Sequence, residues 1–255
     1  MTETTTVVTR RQRPMFVTVT AVRRLSERMA RVTLTGDDVA EFEYVGADQL
    51  ARVFFPVAED FQLPVTPDWW PELQAMPAER RPVMRNYTVR RIDHARGELD
   101  IDFVLHGDSG PASAWACAAK SGDRLGLLSD GADYKPADAD WQLLVGDETA
   151  IPAISSMLEG LRTPAHVLLE VADELDHLDL AAPVTWLHRS GKRGSQVLET
   201  LRALTFPEGQ PYVWVAGESS LATSVRRYLV RERSIAKDRI YFCGYWRENL
   251  SAYDD

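Results

Sequence analysis

The sequence predicts two domains of different class: an antiparallel six-stranded β-barrel over residues 15–135, then a parallel α/β domain over residues 140–255. Three observations carry this. Up to Leu128, apolar residues recur in short runs with a period of two, the mark of half-buried strands. After Asp140, strand-like runs alternate with stretches of helical period, the mark of a parallel sheet covered on both faces. Between them, residues 133–140 are rich in Asp, Ala and Pro and change the rhythm.

In the first half, residues 16–22 (FVTVTAV) and 29–35 (MARVTLT) alternate apolar and polar side chains. Residues 52–56 read as a strand stopped by Pro56, and 86–92, 99–105 and 124–128 complete the set. Closing such strands on themselves removes exposed sheet edges. Residues 57–82, with several prolines and the pair Trp69-Trp70, form a long surface excursion and a candidate lid. In the second half, strands are expected at 141–145, 166–171, 184–187, 212–216 and 239–243, with helices at 151–161, 195–204 and 221–231. Ligands of such sheets bind beyond the carboxyl ends of the strands.

The composition narrows the chemistry. The chain has 255 residues, 45% of them hydrophobic, and a formal charge of −9 from 29 Lys plus Arg against 38 Asp plus Glu. That balance disfavours nucleic acid or an anionic membrane as the main partner, while leaving room for a local basic pocket. No stretch approaches the ~20 apolar residues of a membrane span. The polar start, MTETTTVVTR, carries no cleavable leader, so a cytoplasmic, monomeric protein is expected, its first dozen residues a mobile tail. Cys117 and Cys243 are expected as buried reduced thiols. Two cysteines cannot supply the four thiolates of an iron–sulfur cluster, so redox chemistry needs another cofactor. His94, His166, His177 and His188 are scattered without ligand spacing, and no metal site is expected.

Five segments carry candidate chemistry. In Arg85-Asn-Tyr87-Thr88 a guanidinium fork suits a phosphate, a tyrosine ring a flat heterocycle, and a hydroxyl a ring edge. In His106-Gly-Asp-Ser-Gly110-Pro111-Ala112-Ser113 a strand runs into a helix start with proline and free N–H groups, which suits a pyrophosphate. Gly146-Asp147-Glu148-Thr149-Ala150 lacks the GxGxxG fingerprint, yet it places a helix N-terminus at the sheet edge. Ala216-Gly217-Glu218-Ser-Ser repeats that arrangement after another strand, and Gly244-Tyr-Trp246-Arg247 lies near the end.

Taken in series, these segments resemble the siderophore-interacting protein family of ferric-siderophore reductases, itself similar to the ferredoxin–NADP⁺ reductase superfamily. The resemblance rests on RxYT at 85–88, VLHG at 104–107, GPASxWA at 110–116, DWxLLxGDETA at 140–150, WLHR at 186–189, AGE at 216–218 and GYWR at 244–247. It spans roughly residues 15 to 250 and implies FAD on the barrel and NADPH or NADH on a Rossmann-like second domain. By family position, Arg85, Tyr87 and Thr88 would contact the flavin and its phosphates, Val104 and His106 would lie along the nucleotide, and Gly110, Pro111, Ala112 and Ser113 would cradle the pyrophosphate. Asp147, Glu148 and Thr149 would sit where the domains meet, with Gly217 and Glu218 in the same cofactor-binding set and Trp246 near the flavin. Arg52, Lys135 and Arg247 are the candidates for attracting an anionic ferric siderophore. Glu170 would accept from a ribose 2′-hydroxyl and favour NADH, whereas Arg189 would meet a 2′-phosphate and favour NADPH, so the donor stays open.

The implied activity passes electrons from NAD(P)H through the flavin to siderophore-bound Fe(III), releasing Fe(II). An outer-sphere step of that kind requires no catalytic acid, base or nucleophile. A flavin-dependent reductase of another acceptor, a protein or a quinone, and a non-catalytic siderophore carrier are the competing readings. Two departures from the family pattern stand out. Leu128-Ser-Asp130-Gly131 replaces the usual Gly-Pro-x-Gly turn and puts a carboxylate beside the basic pocket, and the C-terminal extension is short.

Overall fold

The computed structural model describes residues 13–107, 110–136 and 138–248. The expected N-terminal tail, Asp108 and Ser109 of the second motif, and the last seven residues lie outside the described residues.

The first sheet comprises β1 (Met15–Ser26), β2 (Met29–Thr35), β3 (Leu50–Phe55), β4 (Val83–Thr88), β5 (Arg91–Asp93), β6 (Glu98–Val104) and β7 (Arg124–Ser129), in the order β4-β3-β7-β1-β2-β6-β5. All its pairings are antiparallel. It has seven strands where six are expected, because the run 86–92 is broken in the middle. Val89 N donates to Gln49 O at 2.8 Å and Arg90 N to Asp100 O at 2.9 Å, on opposite margins of the sheet. The chain thus crosses from β4 to β5 and closes the barrel. Val17, Val32, Leu34, Val53, Ile101 and Leu127 fill its interior, as the period of two requires.

The excursion at 57–82 contains one short helix, α1 (Trp69–Ala75), which sequence periodicity does not reveal. Phe61, Leu63 and Leu73 pack with Phe54 and Leu128 on the outside of the barrel, joined by Trp69 and Met84. Gly126 makes room for this: a Cβ there would meet the Leu63 side chain and Phe54. Helix α2 (Pro111–Ala118) follows β6, with Gly110 as its N-cap.

The second sheet comprises β8 (Trp141–Asp147), β9 (Ala165–Val171), β10 (Thr185–His188), β11 (Pro211–Glu218) and β12 (Ile240–Trp246), all parallel, in the order β10-β9-β8-β11-β12. Every residue of β8 is buried, the pattern of a central parallel strand. Helix α3 (Ile151–Glu159) covers one face. Helices α4 (Ser195–Ala203) and α5 (Ser219–Glu232) cover the other, with Val197, Leu201, Val225 and Leu229 against Leu143 and Val213. The strand order reverses between β8 and β11, the switch point where dinucleotides bind in such sheets.

The domains share buried contacts. Met29 of the barrel joins the cluster of Leu144, Ile154, Leu169 and Trp214. Asp48, 8% exposed, accepts the Trp214 indole N–H at 3.1 Å and the amides of Asp133 and Tyr134 at 3.0 Å each. Arg90, 6% exposed, holds the Glu159 carboxylate and donates to Ser155 Oγ at 2.9 Å, while its carbonyl accepts from Ser156 Oγ. Arg28 is bidentate on Asp173 at 2.9 Å and lies 3.1 Å from Asp176.

Candidate functional site

Three barrel segments gather the first group of candidates. Tyr87 packs its ring 4.5 Å from that of Phe103 and 6.1 Å from that of Phe55, and burial pushes its phenol well above the ordinary range. Arg85, two residues back on the same face of β4, donates to Met84 O at 2.7 Å. Thr88, on the opposite face, is buried. Beyond β6, with Val104 at its end, the loop through His106 leads into α2. Gly110, the N-cap of α2, brings no side chain to its leading N–H groups, and Pro111 occupies the first turn, the arrangement of an anion-binding helix start. Ala112 is buried and Gly110 takes an extended φ of −167°. A guanidinium, a flat half-buried ring and a helix start opened by Gly110 and Pro111 make a donor set that fits a flavin dinucleotide. Ser113 departs from the expected cradle: its hydroxyl accepts from His106 N at 2.9 Å and donates to Gly107 O at 2.8 Å, fixing the loop from within.

The second group meets at the carboxyl ends of β8, β11 and β12. Asp147, 1% exposed, accepts four hydrogen bonds: Thr149 N (2.9 Å) and Thr149 Oγ1 (2.5 Å) on Oδ1, Glu218 N (2.7 Å) and Trp246 Nε1 (2.9 Å) on Oδ2. Gly217 lies above this carboxylate with φ +132°, and a Cβ there would stand 2.6 Å from the Asp147 carboxyl carbon. Glycine alone tolerates both the backbone angle and the approach. Glu218 caps α5, accepting from Ser220 N (2.6 Å), Ser220 Oγ (2.5 Å) and Leu221 N (3.2 Å). Burial pushes its pKa up, but these donors outweigh it and leave the group below the usual carboxylate value. The Trp246 ring lies under the Arg193 guanidinium at 4.5 Å, a cation–π contact that holds it in place.

The structure corrects the two residues expected to choose the nicotinamide. Glu170 is fully buried, and both of its oxygens accept from Gly194 N at 2.9 Å. It secures the loop that starts α4 and offers no surface to a ribose. Arg189 is tied to Glu148 at 2.5 Å and stands 3.8 Å from Glu170. Burial, then the charge of Asp147, raises the Glu148 pKa against the pull of Arg189; burial likewise raises that of Glu170 against the Gly194 amide.

The three cations expected at the substrate site do not converge. Arg52 pairs with Asp130 at 2.6 Å and stacks over Trp69 at 5.4 Å on the barrel flank. Lys135 is exposed, with its amide bonded to the Tyr212 hydroxyl near the amino end of β11. Arg247 follows the carboxyl end of β12 and is exposed. Both cysteines are free but not buried as expected: Cys117 is exposed and Cys243 half-exposed. The histidines are less scattered than their spacing implies. His177 and His188 place their Nε2 atoms 3.0 Å apart, and His177 stacks on Trp186 at 4.5 Å. Among the described residues no group of three or more potential ligands could hold a metal ion. Nor is any described helix long and apolar enough to cross a membrane.

Known proteins show the same two-part arrangement. Residues 18–134 match the model of the siderophore-interacting FAD-binding domain, and residues 139–249 match that of the siderophore-interacting protein. The chain is 37% identical to the ferric vibriobactin reductase of Vibrio cholerae over 248 residues, 91% of this chain and 89% of that one. It is 31% identical to the NADPH-dependent ferric-chelate reductase of Escherichia coli over 241 residues, 90% and 91% of the two chains. The crystal structure of a siderophore utilization protein from T. fusca superposes with a TM-score of 0.83 at 36% identity, covering 95% of this chain and 96% of that one.

Proposed function

The chain belongs to the siderophore-interacting protein family, and from that premise we propose that it is an FAD-dependent reductase passing electrons from NAD(P)H to a ferric siderophore. The observation that carries the reading is Asp147, whose Oδ2 holds the Glu218 amide and the Trp246 indole N–H together at the carboxyl ends of β8, β11 and β12. These strand ends flank the switch point of the parallel sheet, where a dinucleotide binds, and Arg90, two residues after the Arg-x-Tyr-Thr motif, ties the barrel to the helix that follows β8. When bound, the flavin supplies the conversion of a two-electron donor into one-electron delivery to iron.

The protein's own residues bind and orient. Arg85 and the α2 start would hold the pyrophosphate, with Gly110 and Pro111 letting the backbone approach. Tyr87 would face the ring, with Thr88 behind it on the opposite face of β4, and Val104 and His106 would line the nucleotide. Asp147 fixes Trp246 and the β11 turn, so the floor between the domains is set before any ligand arrives. Arg52, at the rim, would draw in an anionic ferric complex. This reading places the protein in the cytoplasm, where reduced nicotinamide is made, acting as a monomer.

The test is an anaerobic absorbance titration of purified protein with NADPH or NADH, followed by a ferric siderophore and an Fe(II) chelator. Flavin bands that bleach and then return as the Fe(II) chelate forms are expected. A protein that binds no FAD would overturn the reading, and bleaching without iron reduction would move the acceptor to a protein or quinone.

A further inference from the structure

Between the loop after β10, the first turns of α5 and the stretch after β12 lies a groove of about 500 Å³. Three cations line it: Lys192, Arg227 and Arg247. Two carboxylates line it as well, and both are engaged. Glu218 takes the leading N–H groups of α5, and Glu248 stands 3.3 Å from Arg193. Among the described residues none of these three cations has a carboxylate within salt-bridge distance, whereas the neighbouring Arg189 and Arg193 are paired. In a chain with 38 acidic side chains against 29 basic ones, three unpaired cations around one hollow mark a place for an anion. The attraction comes from side chains rather than from the helix start, whose amides Glu218 already occupies.

The groove opens beyond the carboxyl ends of β11 and β12, next to the switch point between β8 and β11. The two nicotinamide donors differ there by one group, the 2′-phosphate, which carries close to two negative charges at neutral pH. Resting on the dinucleotide-dependent reading above, we propose that this groove receives the 2′-phosphate of NADPH and makes the protein select NADPH over NADH. Arg227 presents a planar fork to the phosphate, Lys192 and Arg247 neutralise it, and Thr223 lines the same hollow. Glu170 and Arg189, the residues that would discriminate by strand position, are spent on Gly194 and Glu148.

The experiment compares calorimetric binding of 2′,5′-ADP and 5′-AMP to the flavin-loaded protein, with no turnover, alongside kcat/KM for NADPH and NADH. Wild type is expected to favour 2′,5′-ADP by roughly tenfold or more, in line with one charge-assisted phosphate contact of about 1.5–3 kcal/mol. Arg227→Ala and Lys192→Ala should each bring that ratio, and the NADPH:NADH ratio, towards one. Arg227 and Lys192 are exposed, so truncation opens no core. Equal binding of both ligands by wild type overturns the proposal, as does an undiminished ratio in Arg227→Ala. Displacement of 2′,5′-ADP by the ferric complex would also overturn it and give the groove to the iron substrate. If neither nucleotide bleaches the flavin, it is the reductase reading that has failed, a result the binding ratio does not mimic.

Discussion

Asp147 Oδ2 accepts the Trp246 indole N–H at 2.9 Å, so the end of β8 is tied to the end of β12 across the intervening β11. The same oxygen accepts the Glu218 amide of β11 at 2.7 Å. One buried carboxylate therefore sets the relative positions of three strand ends.

Asp147→Asn keeps the shape but turns an NH₂ group towards two donors. Leaving buried donors unsatisfied costs about 1–3 kcal/mol each, so a loss of roughly 2 kcal/mol or more is expected, a fall in Tm of about 4–8 °C. Trp246→Phe removes one donor and should cost about 1 kcal/mol. Thermal melts of both single variants and the double variant form a cycle, and strictly additive losses would disprove the coupling.

Gly217→Ala meets two obstacles at once, a φ of +132° and a carboxyl carbon 2.6 Å from the new Cβ. A destabilisation of about 1–3 kcal/mol from the backbone alone is expected, with the clash added to it. Gly131→Ala is the control, since a Cβ there meets nothing within 4 Å. Chemical denaturation of the two variants should separate them clearly; similar midpoints would count against the account of Asp147 given above.

Much of this site was legible in the sequence because its segments are local. The order Arg-x-Tyr-Thr, Gly-Pro-Ala-Ser and Gly-Asp-Glu-Thr-Ala carries backbone turns and donor types that need no distant partner to be read. The parallel half was legible for a related reason: β8 carries the apolar run Leu143–Val145 and α5 is periodic. What stayed hidden depends on residues far apart in the chain. Arg90 meets Glu159 across 69 positions and Asp48 meets Trp214 across 166, and no local pattern announces either. Glu170 reads as a strand-end carboxylate with two options, ligand or interior, and only the Gly194 amide decides the matter.

Asp130→Asn should release Arg52, now held at 2.6 Å, and remove a negative charge from the rim. The KM for an anionic ferric siderophore is expected to fall about threefold to tenfold at low salt, with the gain shrinking as ionic strength rises. Steady-state kinetics at two salt concentrations would check this. An unchanged KM at low salt would remove Arg52 from the substrate path.

The link between Arg28 and Asp173 predicts a pH window. Hydrogen bonds from Arg28 depress the Asp173 pKa from 3.8 to about 2. A depressed carboxylate stabilises the fold fully above its unfolded pKa and loses that contribution as pH falls through the folded one. The difference in Tm between wild type and Arg28→Ala should therefore stay level from pH 7 to 5 and shrink between about 4 and 2. A gap that persists unchanged at pH 2 would show that Arg28 acts through packing alone.

The crossing at Val89–Arg90 has a consequence for how such a molecule can be inherited. The residues that shut the barrel deliver Arg90 straight into Ser155, Ser156 and Glu159 of the other half. The two halves are thus lock and key rather than interchangeable cassettes. A chimera carrying a relative's second half would have to import matching residues at 155, 159, 173 and 214 as a linked set. Conversely, the halves expressed as separate chains cut within residues 130–140 should find each other in solution, a natural starting point for a split reporter.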